Sequence, residues 1–162
     1  MKSILVGLGV ALFVGLAGAT RVAVAADNEL IPAVKRGDVS AVRLLLAEGA
    51  PVNTAEGDGS TGLHWAVRID HQELADVLIA AGADVAAANA FDVTALSLAA
   101  LNGSPGVIET LLDAGADPNR ARADGESVIM TASRTGRAEA LRVLVARGAD
   151  VNRTQSAGQT AL

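Results

Sequence analysis

The pentapeptide Gly49-Ala50-Pro51-Val52-Asn53 returns as Gly82-Ala83-Asp84-Val85-Ala86, as Gly115-Ala116-Asp117-Pro118-Asn119 and as Gly148-Ala149-Asp150-Val151-Asn152. Each copy begins 33 residues after the last, with no slippage. A second marker keeps the same interval: Thr61-Gly62-Leu63-His64-Trp65-Ala66, then Thr94-Ala95-Leu96-Ser97-Leu98-Ala99, then Ser127-Val128-Ile129-Met130-Thr131-Ala132, and finally Thr160-Ala161-Leu162. Self-similarity at a fixed period of this length means one supersecondary unit repeated along the chain. A single unit cannot bury its own apolar face, so neighbours must stack.

Each period holds two short segments of helical spacing separated by a break. In the second segment, Ala41, Val42, Leu45 and Leu46 recur as Leu74, Ala75, Leu78 and Ile79, as Val107, Ile108, Leu111 and Leu112, and as Ala140, Leu141, Leu144 and Val145. This i, i+1, i+4, i+5 stripe predicts a helix face turned to a core. Asp38 is placed to cap the start of one such helix, and Ser104 followed by Pro105 the start of another, proline costing nothing in a first turn. Gly49, Gly82, Gly115 and Gly148 stand where a left-handed residue ends a helix. Between the paired helices sit Gly37, Gly103 and Gly136, whereas the second unit has Asp70 in that slot, which predicts a less relaxed turn there.

On these residues the chain resembles the ankyrin-repeat family, whose T-P-L-H-x-A signature is nearly complete at Thr61 to Ala66 and weaker in the other copies. The resemblance covers roughly residues 27–162. It implies an all-α ankyrin-repeat solenoid of stacked helix-turn-helix units with projecting β-hairpin loops, such as 53–60 and 119–126. Within one domain at 26–162, units fall at about 27–53, 54–86, 87–119 and 120–152, followed by an incomplete unit at 153–162. That interrupted unit leads us to expect that the natural protein continues. Pro32 departs from the family pattern, since an interior proline costs a helix about 3 kcal/mol. The first unit is therefore expected to start its helix late and act as a modified cap.

Residues 1–25 read differently. Lys2 gives a short positive start, Ile4 to Ala19 is an uncharged apolar run, and Ala23-Val24-Ala25 offers small residues at cleavage spacing. This is the pattern of a secretory signal peptide. The run of about 16 residues before Arg21 is shorter than the roughly 20 that a spanning helix requires. The expected location is periplasmic or secreted, with no membrane insertion after signal cleavage. Removing 1–25 deletes Lys2 and Arg21 but no acid, taking the net charge from −5 to about −7. That balance argues against nucleic acid, whose phosphates require clustered Lys and Arg. The absence of cysteine excludes disulfides and thiolate metal sites. With one Trp, two Phe and no Tyr, the core must be built from alanine, leucine and valine.

Catalytic chemistry finds no constellation. His64 and His71 are the only imidazoles, and their spacing across a turn is not a metal-ligand spacing that a helix supports. The resemblance makes His64 a local hydrogen-bonding residue near the turn, with Thr61 as its capping partner. Trp65 falls where the family has an apolar helix residue, so core packing is expected. Ser97, Ser127 and Ser133 have no base placed near them. Glu109 with Asp113, and Glu73 with Asp76, lie on the outer face of second helices, as ordinary surface charge does. Asp84, Asp117 and Asp150 recur with the turn and are structural on that ground. Asn102-Gly103-Ser104 and Asn152-Arg153-Thr154 match a glycosylation sequon that arises easily by chance. No cofactor, metal or catalytic residue is expected.

What remains is surface. The family generally binds other proteins through hairpin tips and the exposed positions of first helices, so the resemblance implies a protein partner. The tip slots hold Gly57 and Asp58, Ala90 and Phe91, Ala123 and Asp124, and Ser156 and Ala157. The inner helix slots hold Lys35 and Arg36, Arg68 and Ile69, Leu101 and Asn102, and Arg134 and Thr135. Phe91 is the aromatic outlier, either tucked against a neighbouring unit or exposed as a binding anchor. With Arg120 and Arg122, the basic slots make one face locally positive, diluted by Asp58, Asp92, Asp124 and Glu126; steering of an acidic protein segment and solvated mixed charge are both open. The candidate protein-binding residues are Phe91, Arg68, Leu101, Asn102, Arg134, Arg122, Asp58 and Asp124. The alternative is a structural spacer or assembly segment of a longer exported protein.

Overall fold

The computed structural model describes residues 29–155, 158, 160 and 161. The expected signal peptide at 1–25 and the tip residues Ser156 and Ala157 lie outside the described residues. Within them the chain forms α1 (29–35), α2 (Val39–Ala47), α3 (Gly62–Arg68), α4 (Gln72–Ala80), α5 (Ala95–Asn102), α6 (Pro105–Asp113), α7 (Val128–Arg134) and α8 (Ala138–Ala146). Helices pair within each unit, α3 with α4, α5 with α6 and α7 with α8, and stack between units in two layers. The inner layer runs α3, α5, α7 and the outer layer α2, α4, α6, α8. This is the all-α repeat solenoid the period predicts.

The two layers differ in the size of their core residues. In the inner helices Ala33, Ala66, Ala99 and Ala132, each 33 after the last, are fully buried and let the backbones approach closely. In α4 and α6 the stripe behaves as read for its first three positions, with Leu74, Ala75 and Leu78, and Val107, Ile108 and Leu111, buried, whereas in α2 and α8 only Val42, Ala140 and Leu144 are buried and Ala41, Leu45 and Leu141 are partly covered. Its fourth position lies at the margin: Ile79 and Leu112 are only partly buried, and Val145 is 50% exposed.

Between units the chain projects as hairpin loops, but their pairing is slight. Among the described residues each is closed by one antiparallel bridge, Ala55 with Thr61, Ala88 with Thr94 and Ala121 with Ser127. Side chains complete the linkage. Asn53 Oδ1 accepts from Asp84 N–H at 2.8 Å, and Asn119 Oδ1 accepts from Asp150 N–H at 2.7 Å, joining each turn to the next. Asp84, Asp117 and Asp150 each accept a backbone N–H two residues on, the local turn role their recurrence implied.

Helix ends follow the expected chemistry with two corrections. Gly82 at φ +90° donates to Ile79 O and Ala83 to Leu78 O, the paired bonds of a left-handed helix stop, and Gly115 with Ala116 repeats them. Asp38 caps α2 by accepting from Ala41 N–H at 2.9 Å. Ser104 stands at the N-cap of α6 but makes no side-chain cap bond; its hydroxyl donates instead to Asp70. Pro32 is the second correction. The helix containing it does not start late, because 29–35 is α3 displaced by one period. Pro32 matches Trp65, Leu98 and Thr131, whose N–H groups make the first intrahelical bond at 3.3, 3.2 and 3.1 Å, so the ring removes only that terminal bond.

The turn between paired helices shows how the sequence accommodates Asp70. Asp70 adopts φ +55°, the left-handed conformation that Gly103 takes at +76°. A side chain is possible at 70 because the residue facing it from the next unit is the small Ser104, which donates a hydrogen bond to it. The residue facing Gly103 is Arg137, whose stem occupies the space a Cβ would need. Gly103→Ala is therefore expected to destabilise the chain by about 1–2 kcal/mol through the backbone alone, and to displace Arg137. Urea unfolding monitored by circular dichroism measures it, and an unchanged midpoint would contradict this account of the turn. No helix of the described residues is long and apolar enough to cross a membrane.

Candidate functional site

Where the C-terminal halves of α3 and α5 meet the hairpin loops 54–61 and 87–94, the inner face is concave. The concavity has a volume of about 530 Å³. Five of the eight residues picked from sequence line it: Asp58, Arg68, Phe91, Leu101 and Asn102. They arrive from two loops and two helices, so it is the stacking of the second and third units that brings them together.

Phe91 projects from the tip of its loop with 66% of its surface exposed, which resolves the alternatives for this residue in favour of exposure. Its loop is held by Asn89, whose Oδ1 accepts from the N–H groups of Phe91 and Val93 at 3.0 and 3.1 Å. Next to it Asp92 adopts φ +56°, and Arg120 donates to its carboxylate at 2.9 Å. That hydrogen bond keeps the Asp92 carboxyl below its usual range. In the same lining Leu101 is 45% exposed, and Val93 and Leu98 are half-buried.

Trp65, expected from sequence to pack in the core, does pack against it but is only half-buried, and its outer side lies at the edge of this site. Its Nε1–H donates to Glu56 Oε2 at 2.8 Å, Lys35 Nζ lies 3.9 Å from the ring centroid, and the Arg68 guanidinium lies 5.1 Å from it. The available signal was its i, i+3 relation to Arg68, which puts both on one face of a helix.

Other residues are committed elsewhere. Asn102 Nδ2–H donates to Val67 O at 2.7 Å, pinning the end of α3, so its amide is a structural clamp as well as part of the wall. Asp58 accepts from Ser60 N–H and Oγ–H at 2.9 and 3.0 Å, bonds that hold its carboxyl below the ordinary value and shape the loop. Arg122 and Asp124 line a separate shallow hollow beyond Phe91, and Arg134 lies further along the inner face. Arg122 and Arg134 share Glu126, at 3.4 and 2.7 Å. With Lys35 on Glu56 at 2.5 Å and Arg120 on Asp92, most of the positive face expected from sequence is neutralised by its own carboxylates. Arg36 and Arg68 are different: among the described residues neither has a carboxylate partner, and of the two Arg68 lines the groove.

His64 has both ring nitrogens engaged. Nδ1 accepts from Thr61 N–H at 3.2 Å and lies 2.9 Å from Thr61 Oγ1, while Nε2 lies 3.0 Å from Val93 O. His71 caps α4 through Nδ1. Among the described residues no three His, Cys, Asp or Glu side chains are grouped to hold a metal ion.

A solenoid of helix pairs with loops projecting over a concave face defines a repeat scaffold that presents an extended surface. The sequence matches the family model for ankyrin repeats (3 copies) over residues 30–122 and again over 96–162, and the chain belongs to the ankyrin-repeat family. Repeats of this family are generally protein-interaction modules and typically non-catalytic. A comparison with curated proteins gave no match.

Proposed function

We propose that the chain is an exported, non-catalytic module that binds a partner protein through the hairpin tips and inner helix face of its second and third units. The observation that carries this reading is the meeting of two exposed apolar side chains, Phe91 and Leu101, with the carboxylate-free Arg68 in one groove. Exposed aromatic and arginine side chains grouped at the centre of a concave surface are the residue types that dominate binding energy at interfaces. Export rests on the N-terminal residues 1–25 and gives a periplasmic or secreted location. The absence of catalysis is supported by the engagement of both His64 nitrogens and by the Ser97 hydroxyl, which donates to Thr94 O at 2.8 Å.

The test is capture by crosslinking from the exported fraction of the source cells, with the chain as bait and a Phe91→Ala, Arg68→Ala variant as control. We expect one protein to be enriched by the bait and its affinity for the variant to fall about tenfold or more, with helical content unchanged. Undiminished capture by the variant would remove this groove from the reading.

A further inference from the structure

We propose that the groove between the second and third units takes an extended protein segment in which a carboxylate side chain lies beside an apolar one. The inference rests on reading this groove as the binding surface, and adds the chemistry of what fills it.

The charge argument begins with what is already paired. Around Trp65 and the groove, Glu56 is held by Lys35 and by the indole N–H, Asp58 by Ser60, and Asp92 by Arg120. Glu56 and Asp92 are thus ion-paired within the chain, while Asp58, bonded to the uncharged Ser60, keeps its charge on the groove wall without forming an ion pair with Arg68, whose guanidinium lines the same wall. Its position over the Trp65 ring limits the freedom of the side chain. A guanidinium over an indole face at this distance retains N–H groups for hydrogen bonding, and its planar fork matches the two oxygens of a carboxylate. A single such fork suits one carboxylate. A polyphosphate backbone needs several cations in a row, and this chain carries a net charge of −5.

The apolar requirement comes from the same walls. Phe91 and Leu101 face water while Val93 and Leu98 are half-covered, so an apolar side chain entering the groove would leave water against a hydrophobic lining. The 530 Å³ volume lies within the range of about 300–1,000 Å³ in which sites bury most of a small ligand, which suits a short extended stretch of chain. The occupant is therefore acidic at one residue and aliphatic or aromatic at a neighbour.

Trp65 is the only tryptophan, and Arg68 lies on its ring, so its emission reports occupancy without a label. The full chain is titrated with two sets of capped synthetic decapeptides. One carries Glu two residues from Leu or Phe; the other is identical except for Gln in place of Glu. We expect the acidic set to change Trp65 emission saturably and to bind at least about fivefold more tightly than the amide set. Arg68→Gln should abolish that preference, and Phe91→Ala should weaken both sets while preserving it. Equal affinities for the two sets, a preference that survives Arg68→Gln, or no response to either set would each overturn the proposal. The groove itself is judged separately. Capture of a partner that is lost in the Phe91→Ala, Arg68→Ala variant keeps the binding surface even if every peptide fails.

Discussion

Leu111→Ala is expected to lower the unfolding free energy by about 3–4 kcal/mol, whereas Leu44→Ala is expected to change it by less than about 0.5 kcal/mol. The two substitutions remove the same atoms from neighbouring positions of the repeat frame. Leu111 is fully buried on α6, which packs against α5 in its own unit and against α4 and α8 on either side. Truncating it opens a cavity where three helices meet, and the surrounding helices are tied into the array and collapse only partly. Leu44 is 60% exposed on α2 and leaves water in its place. In a stacked array stability is a sum of unit and interface terms, so a defect at α6 weakens both interfaces of the third unit. A loss of 3–4 kcal/mol is then a large fraction of the about 5–15 kcal/mol that holds a domain folded. Urea unfolding followed by far-ultraviolet circular dichroism measures both variants. If Leu111→Ala cost less than about 1 kcal/mol, the third unit would not belong to the cooperative fold.

The features that were legible in the sequence are those fixed by local chemistry repeated at one period. The glycine helix stops, the Asp38 cap, the turn aspartates and the buried stripe all depend on residues within a few positions of each other, and the 33-residue interval multiplies each signal. What stayed hidden depends on how one unit sits on the next. Lys35 meets Glu56 and Arg120 meets Asp92 across units, at separations that no periodicity of either residue type announces. The same geometry turns Asn102 back onto Val67 and brings Ser104 to Asp70. This is why the inner slots could be named by position while their electrostatics could not: the positive face exists as a list of residues and is largely cancelled in space, leaving Arg36 and Arg68. At Trp65 the expected core packing holds for only part of the ring, for a related reason. An apolar slot in a helix says nothing of the two cations and one carboxylate that gather around its ring.

His64 couples the fold to the groove, and its ionisation is expected to lower stability as pH falls below about 6.5. Nδ1 accepts the Thr61 N–H, so the ring proton resides on Nε2 and is donated to Val93 O. Burial disfavours the charged imidazolium and pushes the pKa below the ordinary 6.5, with the Val93 bond and the Asp58 charge acting weakly the other way. The unfolded chain therefore takes up a proton near pH 6.5 while the folded chain resists until lower pH. In that window the unfolded state binds more protons, so stability rises with pH and levels off above it. Protonation places a hydrogen on Nδ1 facing the Thr61 N–H and removes an acceptor from a buried site. His64→Leu has a larger consequence: it leaves the Thr61 N–H without this partner and the Val93 carbonyl with the Asn89 N–H alone, expected to cost about 1–3 kcal/mol. Because Val93 is part of the loop that presents Phe91, the variant should also lose partner affinity beyond what its stability predicts. Comparing urea midpoints at pH 7 and pH 5.5 separates these effects. The native chain should lose stability across the interval and His64→Leu should lose less; an equal pH response in both would assign the dependence to other groups and leave the imidazole with a packing role alone.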